Sequence, residues 1–86
     1  MGRRPSETLE QARRSQANIR FRDLCKLVEA IGDVERRQSG SHRVFTHQKR
    51  TALPMINLQS DGATAKPYQV RQVLRLIDEH NLEVTS

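Results

Sequence analysis

The chain has 86 residues, 35% of them hydrophobic and 3% aromatic, with a formal net charge of +5 and a pI near 10.4. A chain this short buries only about 60% of the surface it exposes when unfolded. One domain with a thin core is therefore expected, which excludes a deep substrate pocket and a nucleotide-binding α/β sheet.

The charge is unevenly spread. Residues 1–22 carry six Arg against two Glu, whereas residues 67–86 carry two basic and three acidic side chains. That asymmetry suits a polyanionic partner met on the surface: nucleic acid, an anionic membrane or an acidic protein. Cys25 is the only cysteine, so no intrachain disulfide can form and a reducing compartment is expected. No apolar run approaches the roughly 20 residues that cross a bilayer, and the charged N-terminus lacks the apolar stretch of a signal peptide. A cytoplasmic location is the expectation.

In chain order, residues 1–17 form a polar, Arg-rich extension. Ser6 and Glu7 could cap a short helix, with Arg13 and Arg14 at its negative end, but Leu9 is its one large aliphatic side chain. The segment is expected to be mobile or loosely docked, with a solvated extension the preferred reading over a nucleic-acid-contacting arm. The domain proper is assigned to residues 18–86. Its first helix is predicted over residues 20–31, where Leu24, Leu27, Val28 and Ile31 recur at i, i+3, i+4 and i+7 with Phe21 one turn earlier. Gly32 ends it. Cys25 lies within this pattern and reads as a core thiol rather than a nucleophile.

Strands are predicted over residues 33–38, over 43–47 and from Leu53-Pro54 onward. In the third, Ile56 and Leu58 alternate with Asn57 and Gln59, so one face is buried and the other polar. Residues 60–64 read as a loop. The second helix opens on Pro67 and carries Val70, Val73, Leu74 and Ile77 at helical spacing, with Leu82 at the core's edge and His80-Asn81 at its end. The three aromatics, Phe21, Phe45 and Tyr68, are expected to be taken up in packing. The order helix, three strands, helix gives an α+β domain: a three-stranded antiparallel sheet with two helices on one face.

The chemistry concentrates between the first two strands. Ser39-Gly40-Ser41 reads as a tight turn that brings His42 to the start of a strand. Arg36, Arg37, Arg43, Lys49 and Arg50 surround it, and no Asp or Glu occurs between Glu35 and Asp61. His42 and His47 are an odd number of residues apart on one strand, hence on opposite faces, and are not expected to share a metal. No cofactor is expected. An imidazole ordinarily titrates near pH 6.5 and can both take and give a proton. RNA carries its own nucleophile, the 2′-hydroxyl, so a protein need only hold the backbone, move that proton and stabilise charge on the phosphate. The residues alone leave two readings of His42 open, a turn-stabilising histidine and a proton carrier.

Gly40-Ser41-His42-Arg43-Val44-Phe45 resembles the signature of the HicA family of bacterial toxins. The similarity extends over about residues 18–82 and includes Asn18-Ile19-Arg20-Phe21, Ile56-Asn57-Leu58-Gln59 and Ala65-Lys66-Pro67-Tyr68-Gln69-Val70-Arg71-Gln72. The resemblance implies an α-β-β-β-α fold like that of double-stranded-RNA-binding domains. It also implies a metal-independent endoribonuclease that cleaves mRNA and is neutralised by a HicB-type antitoxin. The family's active histidine maps onto His42. Many relatives carry Pro-x-His at the third strand, where this chain has Pro54-Met55-Ile56-Asn57, so the identity of a second acid or base stays open. On this reading Gly40 and Ser41 shape the turn, and Arg36, Arg37, Arg43, Lys49, Arg50 and Lys66 contact RNA. Neither a membrane nor a small-molecule ligand is expected. The rival readings are a non-catalytic RNA-binding domain and a module that binds mainly protein.

Overall fold

A computed structural model describes residues 2–85. Three helices and four antiparallel strands follow one another as α1 (Pro5–Arg14), α2 (Phe21–Ala30), β1 (Asp33–Ser39), β2 (His42–His47), β3 (Ile56–Asp61), β4 (Thr64–Ala65) and α3 (Pro67–Glu79). The sheet order is β1-β2-β3-β4, so every strand lies beside its neighbour in sequence. The class is α+β, and from α2 to α3 the order is the α-β-β-β-α of a double-stranded-RNA-binding domain with the two-residue β4 added before α3.

The core forms where the apolar periodicities meet. Phe45 and Leu58 are fully buried and Ile56 nearly so; against them pack Leu24, Leu27 and Val28 of α2 and Val70, Val73 and Ile77 of α3. Asn57, between Ile56 and Leu58, is exposed. The helices therefore cover one face of the sheet and leave the other to solvent, as period-two alternation requires. Among the described residues no helix is long and apolar enough to cross a membrane.

Two elements depart from the sequence-based expectation. The N-terminal segment forms the short helix that its sequence allowed, but it is firmly docked and not the mobile or loosely docked extension expected. Pro5 opens it, and the Arg4 N–H donates to Glu7 Oε1 at 3.0 Å in place of the expected Ser6 cap. Thr8 and Ala12 are buried, because small side chains let α1 approach its neighbours closely. The Arg13 guanidinium reaches both oxygens of Asp78 on α3, at 3.1 and 2.7 Å. The second departure is β4. The residues read as a loop, 60–64, hold the end of β3 and the first residue of β4, which pairs Ala65 with Ser60 and Thr64 with Asp61. The far side of β4 is also occupied: the Ala65 N–H donates to the Ile19 carbonyl at 2.7 Å and the Phe21 N–H to the Ala63 carbonyl at 2.9 Å. The segment joining α1 to α2 thus shields the edge of the short strand. β3 itself begins at Ile56, not at Leu53-Pro54, since Arg50 to Pro54 form a turn in which the Leu53 N–H bonds the Arg50 carbonyl at 3.0 Å.

The β1–β2 hairpin turns on Gly40 and Ser41, with Ser39 opposite His42. Gly40 has φ +58°, the left-handed backbone that a two-residue hairpin loop demands at its first position. Near its middle β1 carries a bulge: Glu35 pairs with Phe45 and Arg37 with Val44, and Arg36 is the extra residue.

Candidate nucleic-acid interface

The open face of the sheet can be read from the register. On β2, Phe45 points into the core, so Arg43 and His47 share the helix side while His42, Val44 and Thr46 share the open side. On β3 the open side carries Asn57 opposite Val44 and Gln59 opposite His42. The bulge in β1 turns two consecutive arginines toward this face: Arg37 lies opposite Val44, and Arg36 Nε donates to Thr46 Oγ1 at 2.8 Å. Arg36, Arg37 and His42 are all exposed.

His42 and Gln59 stand directly opposite each other on β2 and β3. The Ser60 N–H donates to the Ser41 carbonyl at 3.2 Å, whereas the Gln59 N–H turns away from β2 to Gln69 Oε1 at 3.1 Å. His42 and Gln59 therefore form a pair that exchanges no backbone hydrogen bonds, the kind with Cα atoms about 4.5 Å apart and side chains nearest each other. Gln59 Oε1 in turn accepts a hydrogen bond from Lys66 Nζ at 3.4 Å. His42, Gln59 and Lys66 come together from β2, β3 and the residue before α3. Sequence spacing alone does not reveal this, because the β3–β4 turn folds Lys66 back beside Gln59.

The other basic residues divide into two groups. Lys49 and Arg50 follow the far end of β2, several residues at about 3.3 Å each from His42. Their backbone N–H groups donate to His47 Nδ1 at 3.1 and 2.9 Å, and Arg50 Nη1 donates to the His80 carbonyl at 2.9 Å. With Nδ1 accepting twice, the His47 proton sits on Nε2 and is donated to the Ile31 carbonyl at 3.0 Å. His47 is thus a fastener between the loop and the end of α2. Gly32 makes room for that ring: a Cβ there would lie 2.5 Å from His47 Nε2.

Arg43 is placed differently from the phosphate contact expected of it. It lies on the helix side, where its guanidinium meets Glu35 through two bonds of 2.6 and 2.9 Å and stacks 5.5 Å above the Phe45 ring centroid. The Glu35 hydrogen bonds raise the arginine's pKa, and the Arg43 hydrogen bonds hold the Glu35 carboxyl below its usual range. Its fork is already engaged, so Arg43 stiffens the hairpin that presents His42. Burial pushes the neighbouring Cys25 thiol up to about 11, in keeping with a core thiol. Among the described residues no three His, Cys, Asp or Glu side chains are grouped to hold a metal ion.

Tyr68, expected to be taken up in packing, is an aromatic that polarity patterning misplaces. It is 55% exposed, while the adjacent Gln69 is only 3% exposed. α3 buries the glutamine because its amide completes hydrogen bonds at the sheet edge, and the tyrosine is left on the outside.

Compared with protein-family models, residues 21–78 match the HicA toxin of bacterial toxin–antitoxin systems. No curated protein and no solved structure matches the chain.

Proposed function

Because this chain belongs to the HicA toxin family of bacterial toxin–antitoxin systems, we propose that it is a metal-independent endoribonuclease that cleaves mRNA, with His42 moving the proton. As a member of the family it is the toxin of a toxin–antitoxin pair and has an antitoxin for a partner. On the reading advanced here that antitoxin is of the HicB type.

In this mechanism His42 accepts the proton of a ribose 2′-hydroxyl. The 2′ oxygen attacks the adjacent phosphorus, the bond from phosphorus to the 5′ oxygen breaks, and the departing oxygen takes a proton from solvent. The products are a 2′,3′-cyclic phosphate and a 5′-hydroxyl. Lys66, Arg36 and Arg37 hold phosphate and offset the charge that builds on it, Gly40 and Ser41 shape the turn under the ring, and Lys49 and Arg50 extend the contact along the strand. General acid–base help of this kind is worth roughly 10² to 10⁴-fold, which suits an open, shallow site.

The observation that carries the proposal is the exposed His42 ring, set against Gln59 and its bound Lys66 ammonium on a face that also bears Arg36 and Arg37. The test incubates purified wild type and His42→Ala with single-stranded RNA in the presence of a chelator. Wild type is expected to yield 2′,3′-cyclic phosphate ends, and the folded variant is expected to leave RNA intact. RNA that is retarded on a gel by wild type but never cut would favour the non-catalytic RNA-binding reading. An active His42→Ala chain would remove the role assigned to this ring.

A further inference from the structure

One exposed aromatic is left over from both the core and the site around His42. Tyr68 stands on the first turn of α3, and Arg71, Gln72 and Arg75 follow it at i+3, i+4 and i+7 on the same side of the helix, lining a shallow recess with it. Neither arginine has an acidic partner at salt-bridge distance among the described residues. The tyrosine is thus half in water beside two guanidinium groups and lies outside the buried core.

The tyrosine is nonetheless held. Its hydroxyl accepts a hydrogen bond from Gln69 Nε2 at 3.3 Å, and the oxygen of that same buried amide receives the Gln59 N–H at 3.1 Å. Gln69 therefore ties the ring of Tyr68 to the strand position whose side chain binds Lys66 and faces His42. A ring fixed at its polar end and open on its face is suited to stack a planar partner, and every nucleobase has such a face.

We propose that the Tyr68–Arg71–Gln72–Arg75 recess is a nucleotide subsite that stacks one unpaired base on Tyr68 and takes the adjoining phosphates on Arg71 and Arg75. The strand of RNA passes from His42 across Gln59 and Lys66 and rounds the sheet edge onto α3. The base lodged there is a flanking one, not the one whose ribose reacts. The subsite selects for single-stranded over paired RNA, since a stacked duplex base offers no free face. It rests on the reading of the chain as an RNA-binding toxin, but it is independent of whether His42 cuts.

Tyr68 is the only tyrosine and there is no tryptophan, so intrinsic fluorescence reports this ring alone. The probe is a single-stranded 2′-O-methyl RNA of about ten nucleotides, within the range of known single-strand sites, which has no free 2′-hydroxyl and is not cut. Affinity is read by anisotropy of an end-labelled copy, and Tyr68 emission by titrating an unlabelled one. Emission should fall on binding, and an abasic substitution at one position should restore it. Loss of one stack should weaken binding about tenfold, both for that abasic RNA and for Tyr68→Leu, while Tyr68→Phe should bind within about twofold of wild type. RNA that binds Tyr68→Leu as tightly as wild type, or that leaves Tyr68 emission unchanged at every position, overturns the subsite and leaves the RNA reading standing. RNA that does not bind the full chain at all removes both.

Discussion

Arg43 closes on Glu35 across the β1–β2 hairpin with its Nε 2.6 Å from one carboxylate oxygen, one strand position from His42 and on the opposite face of the sheet. The pair is one of the contacts through which acid affects this protein. Glu35 is held below its ordinary pKa by the Arg43 hydrogen bonds, so the unfolded chain binds its proton more readily than the folded one. The pair's contribution is present above the unfolded value, near 4.5, and fades as pH falls through the lower folded value. Thermal melts of wild type and Arg43→Leu should differ by a few degrees at neutral pH, with wild type the more stable. The two should converge at low pH, and a gap that persisted there would count against the ion pair as its source.

The placement of Arg43 also separates it from Arg36 and Arg37, the arginines proposed to meet RNA. Each phosphate contact on a single strand contributes about 0.7 to the slope of log affinity against log salt. Arg36→Gln combined with Arg37→Gln should lower that slope by about 1.4. Arg43→Gln should leave it unchanged. Binding isotherms over a series of salt concentrations measure both.

The two hairpin-end glycines should respond differently to alanine. Gly32 has φ +107° and no space for a Cβ, which would meet the His47 ring at 2.5 Å. Gly32→Ala must move His47 off the Ile31 carbonyl and release the loop it fastens, at a cost of about 2–4 kcal/mol from backbone strain and lost hydrogen bonds together. Gly40 has φ +58° and open space around it, so Gly40→Ala should cost only the left-handed penalty of about 1–2 kcal/mol. Denaturant unfolding curves rank the two.

The docking of α1 predicts that Pro5–Arg14 is part of the folded unit. Ala12 is fully buried, and Ala12→Leu should destabilise by about 1–3 kcal/mol through overpacking. Removing residues 1–17 should lower the melting temperature further, since it also strips Thr8 and the Arg13–Asp78 contact. A truncated chain that melts with wild type would restore the picture of a dispensable extension.

With burial holding its thiol near pKa 11 and its surface 2% exposed, Cys25 should resist alkylation. At pH 8 only about one thiol in a thousand is ionised at such a pKa. Modification by iodoacetamide should be slow in the native state and become fast once denaturant unfolds the chain. Rapid native labelling would show that α2 opens locally.

The sequence made α2 and α3 legible because their apolar residues repeat at helical spacing over two full turns, and it made the open sheet face legible because Ile56 and Leu58 alternate with Asn57 and Gln59. The odd interval between His42 and His47 separated those rings correctly. What patterning missed was small or polar. α1 docks through Thr8 and Ala12, which carry too little hydrophobic area to register as a buried face. β4 is two residues long and exists only because residues 19–21 pair with its far edge. Tyr68 and Gln69 exchange their customary places, since a buried amide with two hydrogen bonds is favoured over a buried ring that leaves the Gln59 N–H unpaired. Arg43 was misplaced because nearness to His42 in sequence means the opposite side on a strand.

The extra residue in β1 has a further implication. A regular strand sends consecutive side chains to opposite surfaces, so adjacent arginines would ordinarily split their charge between solvent and core. By inserting one unpaired position, the chain brings a second arginine onto the open face without lengthening the sheet or burying a guanidinium. A one-residue deletion at Arg36 would restore regular pairing and leave Arg37 and Lys66 as the cations nearest His42, so a single backbone irregularity sets part of the positive charge of this face.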